Sequence, residues 1–241
     1  MSQSDPVVIV GMARTPMGGL LGELSSFSAN ELGAVAVKAA VDEAKLGTDE
    51  ADEIIMGNCL PAGQGQAPAR QSGFKAGMDK GLEATTINKM CGSGLQAAVM
   101  GRNAILAGEA NIVIAGGMES MTNAPHLLDV RSGHKYGDMG AKDHMALDGL
   151  RDAYAGGPMG NFADMIATEY QFTREQQDAY ALETLARAQK ATEGANSSAK
   201  LHPSLSRRAK GNMLSRLTSC HARHGLTKSR SFARPSRKRA P

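Results

Sequence analysis

Along the first 121 residues, short β-branched runs alternate with longer stretches in which small apolar residues recur at helical intervals. Residues 6–11 (PVVIVG) predict a strand stopped by Gly11, and Gly18 and Gly19 mark the turn that follows. Residues 28–47 carry Ala, Leu and Val on one helical stripe, with Ser28 and Asn30 as cap candidates and Gly47 as the stop. Residues 52–60 predict a second strand, and the Gly/Pro-rich loop after it passes into a helix of small residues before Met78. TTINKM (85–90) predicts a third strand, residues 92–109 an alanine-rich helix closing near Gly108, and ANIVIAGGMES (110–120) a fourth strand. Strands and helices in strict alternation predict an α/β fold, a mixed and mostly parallel sheet covered by helices.

Beyond residue 121 the pattern changes. Residues 122–169 are polar, glycine-rich and punctuated, an excursion from the core rather than one long helix, and 170–194 regain a helical period. The charge divides the chain again. Residues 1–194 hold 15 Lys plus Arg against all 24 Asp plus Glu, whereas residues 195–241 hold 12 basic residues and no acid. Such a tail attracts nucleic acid or an anionic membrane surface, and a non-enzymatic protein binding nucleic acid through it is the alternative reading. The tail lacks interleaved aromatics, zinc-finger spacing and a helical period, so nucleic acid is not the expected partner. No apolar run of eighteen residues and no signal-peptide pattern is present, which predicts a cytoplasmic protein with no membrane partner.

Candidate chemistry sits at one joint of the alternating region. Cys91 lies between the third strand and the following helix, with Gly92 and Gly94 behind it. In open parallel sheets the carboxyl ends of strands face the binding crevice, and a helix amino terminus there favours a thiolate. The competing reading is a small buried residue at a helix start, the usual fate of a free cysteine. Cys59 occupies a similar strand end without the flanking glycines. With Cys220 these are the only cysteines, and they have neither metal-ligand spacing nor a disulfide framework. Neither MARTPMGGLLG nor AGQGQAPA supplies the Lys-Ser/Thr of a phosphate loop, which argues against a nucleotide-triphosphate enzyme.

The residues VVIVGMARTPMG near the start, NKMCGSGLQAAVMG around Cys91, NIVIAGGMESMTNAPHLL from Asn111 and REQQDAYALETLARAQKA from Arg174 resemble the thiolase family in order. The resemblance implies a thiolase-like layered fold, amino-terminal half only: a core domain over 1–121, part of a loop domain over 122–169, and a helix returning toward the core over 170–194. It implies an acyltransferase that forms or cleaves 3-ketoacyl-CoA, such as acetoacetyl-CoA from two acetyl-CoA, with Cys91 as acyl-carrying nucleophile. By the same resemblance Gly92, Met159 and Gly160 line the substrate pocket, coenzyme A thioesters are substrates with no separate cofactor or metal, and the complete enzyme is a homodimer or homotetramer. Pro158 stands where short-chain members commonly carry histidine, so acyl-chain preference does not carry over.

The family's histidine base and second cysteine belong to Gly-His-Pro and Cys-x-Gly segments of its carboxyl half, which this sequence lacks. His126, His134 and His144 read as surface or loop histidines. After Gly194 the family would continue with Glu-Ile-Thr-Pro-Val. Codons for Ala199–Pro203 yield that string in another frame, which predicts an out-of-frame or disordered tail over 195–241.

Overall fold

The computed structural model describes residues 7–193, which lie within the first of two compact units, Met1–Ser204. The expectations for the basic tail and the frame change fall outside the described residues. Helix α1 spans Ala29–Ala44, strand β1 Glu53–Gly57, α2 Pro68–Lys75, β2 Glu83–Ile87, α3 Ser93–Ala107 and β3 Val113–Gly117. The strands form a parallel sheet in the order β2-β1-β3, with Glu53 paired to Glu83 on one side and to Val113 on the other.

Burial follows the pleat of the central strand. Ile54 and Met56 point to the α1 and α2 side, clustered with Val37, Val41 and Ala69. Gly57 faces the opposite side, where α3 packs. Covered on both faces, β1 reads as a continuous apolar run. Helix α1 starts where Glu31 reaches back to accept the Ser28 N–H at 2.9 Å, and it buries Gly33, Ala34, Val37 and Val41 on one stripe. It stops at Lys45 in the left-handed conformation (φ 58°), two residues before the expected glycine, because the Leu46 N–H already closes on the Val41 carbonyl.

The strand expected over 6–11 does not form among its described residues, 7–11. Val8, Ile9 and Val10 are exposed, Ile9 at 86%. A β-branched run becomes a strand only against a partner, and no strand of the β2-β1-β3 sheet pairs with it. The segment instead runs tight against α1. A Cβ on Gly11 would lie 2.3 Å from the Ala40 carbonyl oxygen, and the Met12 N–H donates to Glu43 at 2.7 Å.

After β3, a 3₁₀ turn at Met121–Asn123 leads into a two-residue antiparallel pair of β4 (His126–Leu127) with β5 (Lys142–Asp143). A π-helical turn over Met145–Leu150 follows, then α4 (Gly160–Glu169) and α5 (Arg174–Glu193). Tyr180, Leu182 and Leu185 of α5 are exposed. Among the described residues no helix is long and apolar enough to cross a membrane.

Asp52 ties the start of β1 to the segment entering β3. Its carboxylate accepts the Asn111 N–H at 2.7 Å and the Ile112 N–H at 3.0 Å, and these bonds, Ile112 first, hold it below the usual carboxylate range. A depressed folded pKa stabilises the fold above the unfolded value, about 3.9 for Asp, and the contribution is lost as pH falls through the folded value. Asp52→Asn is therefore expected to lower Tm at neutral pH, with the difference shrinking as pH falls through the folded value. A Tm difference that stays constant from neutral to acid pH would contradict this.

Candidate active site around Cys91

The third strand ends at Ile87, three residues earlier than the sequence pattern predicts, and residues 88–92 form a turn. Met90 holds a left-handed backbone (φ 49°), a conformation that costs a side-chain-bearing residue about 1–3 kcal/mol and persists only where neighbours hold it. Three bonds do so here. Asn88 Oδ1 accepts the Met90 N–H at 2.9 Å, Ser93 Oγ accepts the Lys89 N–H at 2.8 Å, and the Ser93 hydroxyl donates to the Met90 carbonyl at 2.6 Å. The result lifts Cys91 to the surface, one residue before Gly92, the N-cap of α3. In this chain the Cys91 side chain is exposed rather than buried.

Helix α3 begins where it does because Gly57 has no side chain. A Cβ on Gly57 would lie 2.5 Å from the Ser93 Cβ, so the helix start seats directly on the end of β1. Two residues further on, Cys59 points its sulfur at the same turn, 3.1 Å from the Met90 carbonyl oxygen and 3.6 Å from Ser93 Oγ. Burial pushes the Cys59 thiol up; the bond to Ser93 opposes this and the charge of Glu119 adds to it. That environment favours a protonated thiol at neutral pH.

Glu119 is a site residue that the sequence motifs did not single out. Its carboxylate accepts from Asn58 Nδ2 and the Cys59 N–H, both at 2.8 Å, and from the Leu60 N–H at 3.2 Å. It clamps the loop leaving β1 to the end of β3. The available signal was an acid directly after the Gly-Gly-Met that closes a strand.

Met159 and Gly160 stand at the start of α4, where the Met159 N–H donates to the Leu150 carbonyl and Pro158 bridges to Arg151. Among the described residues no hydrogen bond joins them to the 88–93 turn. His126 is exposed on β4, and exposed His134 bonds the Gly137 carbonyl. His144 departs from the surface reading, being only 5% exposed. Its Nδ1 lies 2.6 Å from Asp148 and its Nε2 accepts the Ala62 N–H at 3.4 Å, so it joins the β5 segment to the loop after Cys59. A cavity at the amino ends of the strands is lined by Asp49, Asp52, Glu53, Asp79, Glu83 and Glu109. Its charge repels anionic ligands and it lies at the opposite end of the sheet from Cys91.

The parallel α/β sheet presents an exposed thiol on a strained turn at a strand's carboxyl end, the edge at which such sheets form their binding crevice. The family description "Thiolase, N-terminal domain" matches residues 7–220, which runs past the end of the motifs at residue 194. The chain is 46% identical over 194 residues to a cytosolic acetyl-CoA acetyltransferase of Gibberella zeae, covering 80% of this chain and 49% of that protein. It is 50% identical over 175 residues to a probable acetyl-CoA acetyltransferase of Mycobacterium tuberculosis, covering 72% and 44%. The structure superposes with a TM-score of 0.78 on a crystal structure of a thiolase from Ascaris suum in complex with coenzyme A, at 38% identity over 80% of this chain and 50% of that one. The chain belongs to the thiolase family. It spans about half the length of the relatives it matches.

Proposed function

We propose that the chain carries the acyl-accepting half of an acyltransferase that forms or cleaves 3-ketoacyl-CoA, with acetyl-CoA and acetoacetyl-CoA as the substrate class. The observation that carries this reading is the exposed Cys91 on its braced turn, in a chain of the thiolase family. The Cys91 thiolate attacks the thioester carbonyl, the tetrahedral centre collapses, and the coenzyme A thiolate leaves, so one difficult exchange becomes two easier ones. In synthesis the enolate of a second acyl-CoA attacks the acyl-cysteine and Cys91 leaves. In cleavage Cys91 attacks the 3-keto carbonyl of the 3-ketoacyl-CoA, the C2–C3 bond breaks and acetyl-CoA leaves as its enolate and takes up a proton; coenzyme A thiolate then attacks the acyl-cysteine, and acyl-CoA and the Cys91 thiolate are released. Coenzyme A as the carrier is supported by the ligand of the Ascaris thiolase, and a cytosolic location by the name of the Gibberella relative. Gly92, which leaves the space beside Cys91 without a side chain, and Met159 and Gly160 are proposed to line the acyl pocket of a homo-oligomer.

Incubation with radiolabelled acetyl-CoA tests this. Label is expected on the tryptic peptide 90–102, which contains Cys91, with one equivalent of coenzyme A released. Absence of label there, or label on Cys59 instead, would overturn the proposal.

A further inference from the structure

The two described cysteines share one cluster, and thiol acylation does not use both of them. Cys59 Sγ lies 3.1 Å from the carbonyl oxygen of Met90, the residue bonded to Cys91. Peptide geometry puts that oxygen about 2.8 Å from the Cys91 Cα, so the Cys59 sulfur lies within about 6 Å of the Cys91 Cα. The Cys91 side chain is exposed and makes no hydrogen bond among the described residues, which leaves its χ1 free to turn inward. The backbones on both sides are held in place. Glu119 clamps the N–H of Cys59, while Ser93 and Asn88 brace the turn before Cys91. The bound of about 6 Å between the Cys59 sulfur and the Cys91 Cα leaves a gap that rotation of the two side chains can close to the S–S length of about 2.05 Å.

We propose that Cys59 and Cys91 form a reversible disulfide in response to peroxide, with Cys91 as the oxidised thiol and Cys59 as the resolving thiol. The Cys91 thiolate attacks one oxygen of hydrogen peroxide, the O–O bond breaks, and Cys91 becomes a sulfenic acid as hydroxide leaves. Cys59 then attacks the sulfenic sulfur, the S–O bond breaks, and the Cys59 proton departs with the oxygen as water. Two thiols are oxidised to one disulfide and one peroxide is reduced to two waters. Exposure selects Cys91 for the first step, because the peroxide reaches it and Cys59 is half-buried. The groups facing Cys59 are the Ser93 hydroxyl, the Glu119 carboxylate and the Cys91 thiol, and burial together with Glu119 keeps it protonated. The second step therefore quickens as pH rises above neutral. The disulfide would store the nucleophile in a form that thiol reductants restore, and would keep it from irreversible sulfinic acid. This inference is independent of acyl transfer, since it needs no acyl-CoA and survives if Cys91 accepts no acyl group.

The full 241-residue chain, treated with one equivalent of hydrogen peroxide to read the linkage and with an excess to read sulfinic acid, capped with a maleimide and digested with trypsin, decides the matter. Peptide 46–70, which holds Cys59, is expected linked to peptide 90–102 within a single chain, in a yield that grows with pH and is erased by dithiothreitol. In a Cys59→Ser chain, dimedone is expected to trap Cys91 as the sulfenic acid, and its passage to sulfinic acid is expected to rise severalfold. The proposal is overturned if, in the unsubstituted chain, Cys91 is oxidised to sulfinic acid while Cys59 remains free for the maleimide, or if either thiol links only to the Cys220 peptide. The linked-peptide measurement on the unsubstituted chain stands even if the Cys59→Ser chain does not fold.

Discussion

Replacing Cys91 by alanine is expected to abolish acyl labelling from acetyl-CoA, while Cys59→Ala leaves label on peptide 90–102. Removing the atom that forms the covalent bond removes the pathway, and losses on the order of 10⁶-fold follow when other enzymes lose their nucleophile. The environments of the two thiols argue for the asymmetry. Cys91 is exposed at the apex of the Met90 turn, whereas Cys59 is half-buried and held protonated beside Glu119. Hydroxylamine-sensitive label that persists in Cys91→Ala would identify another acceptor and remove Cys91 from the mechanism.

Turnover is a different matter from acylation. The 241-residue chain alone is expected to cleave acetoacetyl-CoA about 10²–10⁴-fold more slowly than a full-length relative, the range that a missing general acid–base accounts for. Among the described residues no histidine has a hydrogen bond to Cys91. His144 is engaged by Asp148 and Ala62, His134 by Gly137, and His126 sits on the exposed β4 pair. The chain also spans about half of the relatives it matches. Steady-state thiolysis measured beside the Mycobacterium tuberculosis relative checks this, and comparable rates would show that the base lies within these residues.

Several elements were legible because their causes are local. The Ile54–Met56 run forms a strand buried on both faces, Ser28 caps α1 with Glu31, and Gly108 ends α3 in the left-handed conformation. The place of Cys91 between a strand and a helix was legible as well, since a residue followed by glycines at such a joint is a local pattern. What escaped depends on residues far apart in the chain. The 6–11 run has the composition of a strand, yet its state is decided by whether a partner lies beside it. Glu119 gained its role from a loop 59–61 residues earlier in the chain, and the buried His144 accepts a bond from Ala62 of that same loop, 82 residues before it. The left-handed Met90 was hidden for the same reason, because a methionine does not announce that conformation and Ser93 imposes it from the next turn.

The uncovered run Val8–Val10 also bears on how the chain behaves at high concentration. The run Val7–Val10 (VVIV) is β-branched throughout and uncharged, between Pro6 and Gly11, a short stretch of the composition that favours pairing between strands. With Ile9 facing water, its backbone is available to a strand from another molecule, and Leu95 on α3 adds a second exposed apolar contact at 75%. Lys or Glu in place of Ile9 interrupts such pairing without touching the β2-β1-β3 sheet. The same surface presents an extended apolar segment of the kind that chaperones hold while a chain folds.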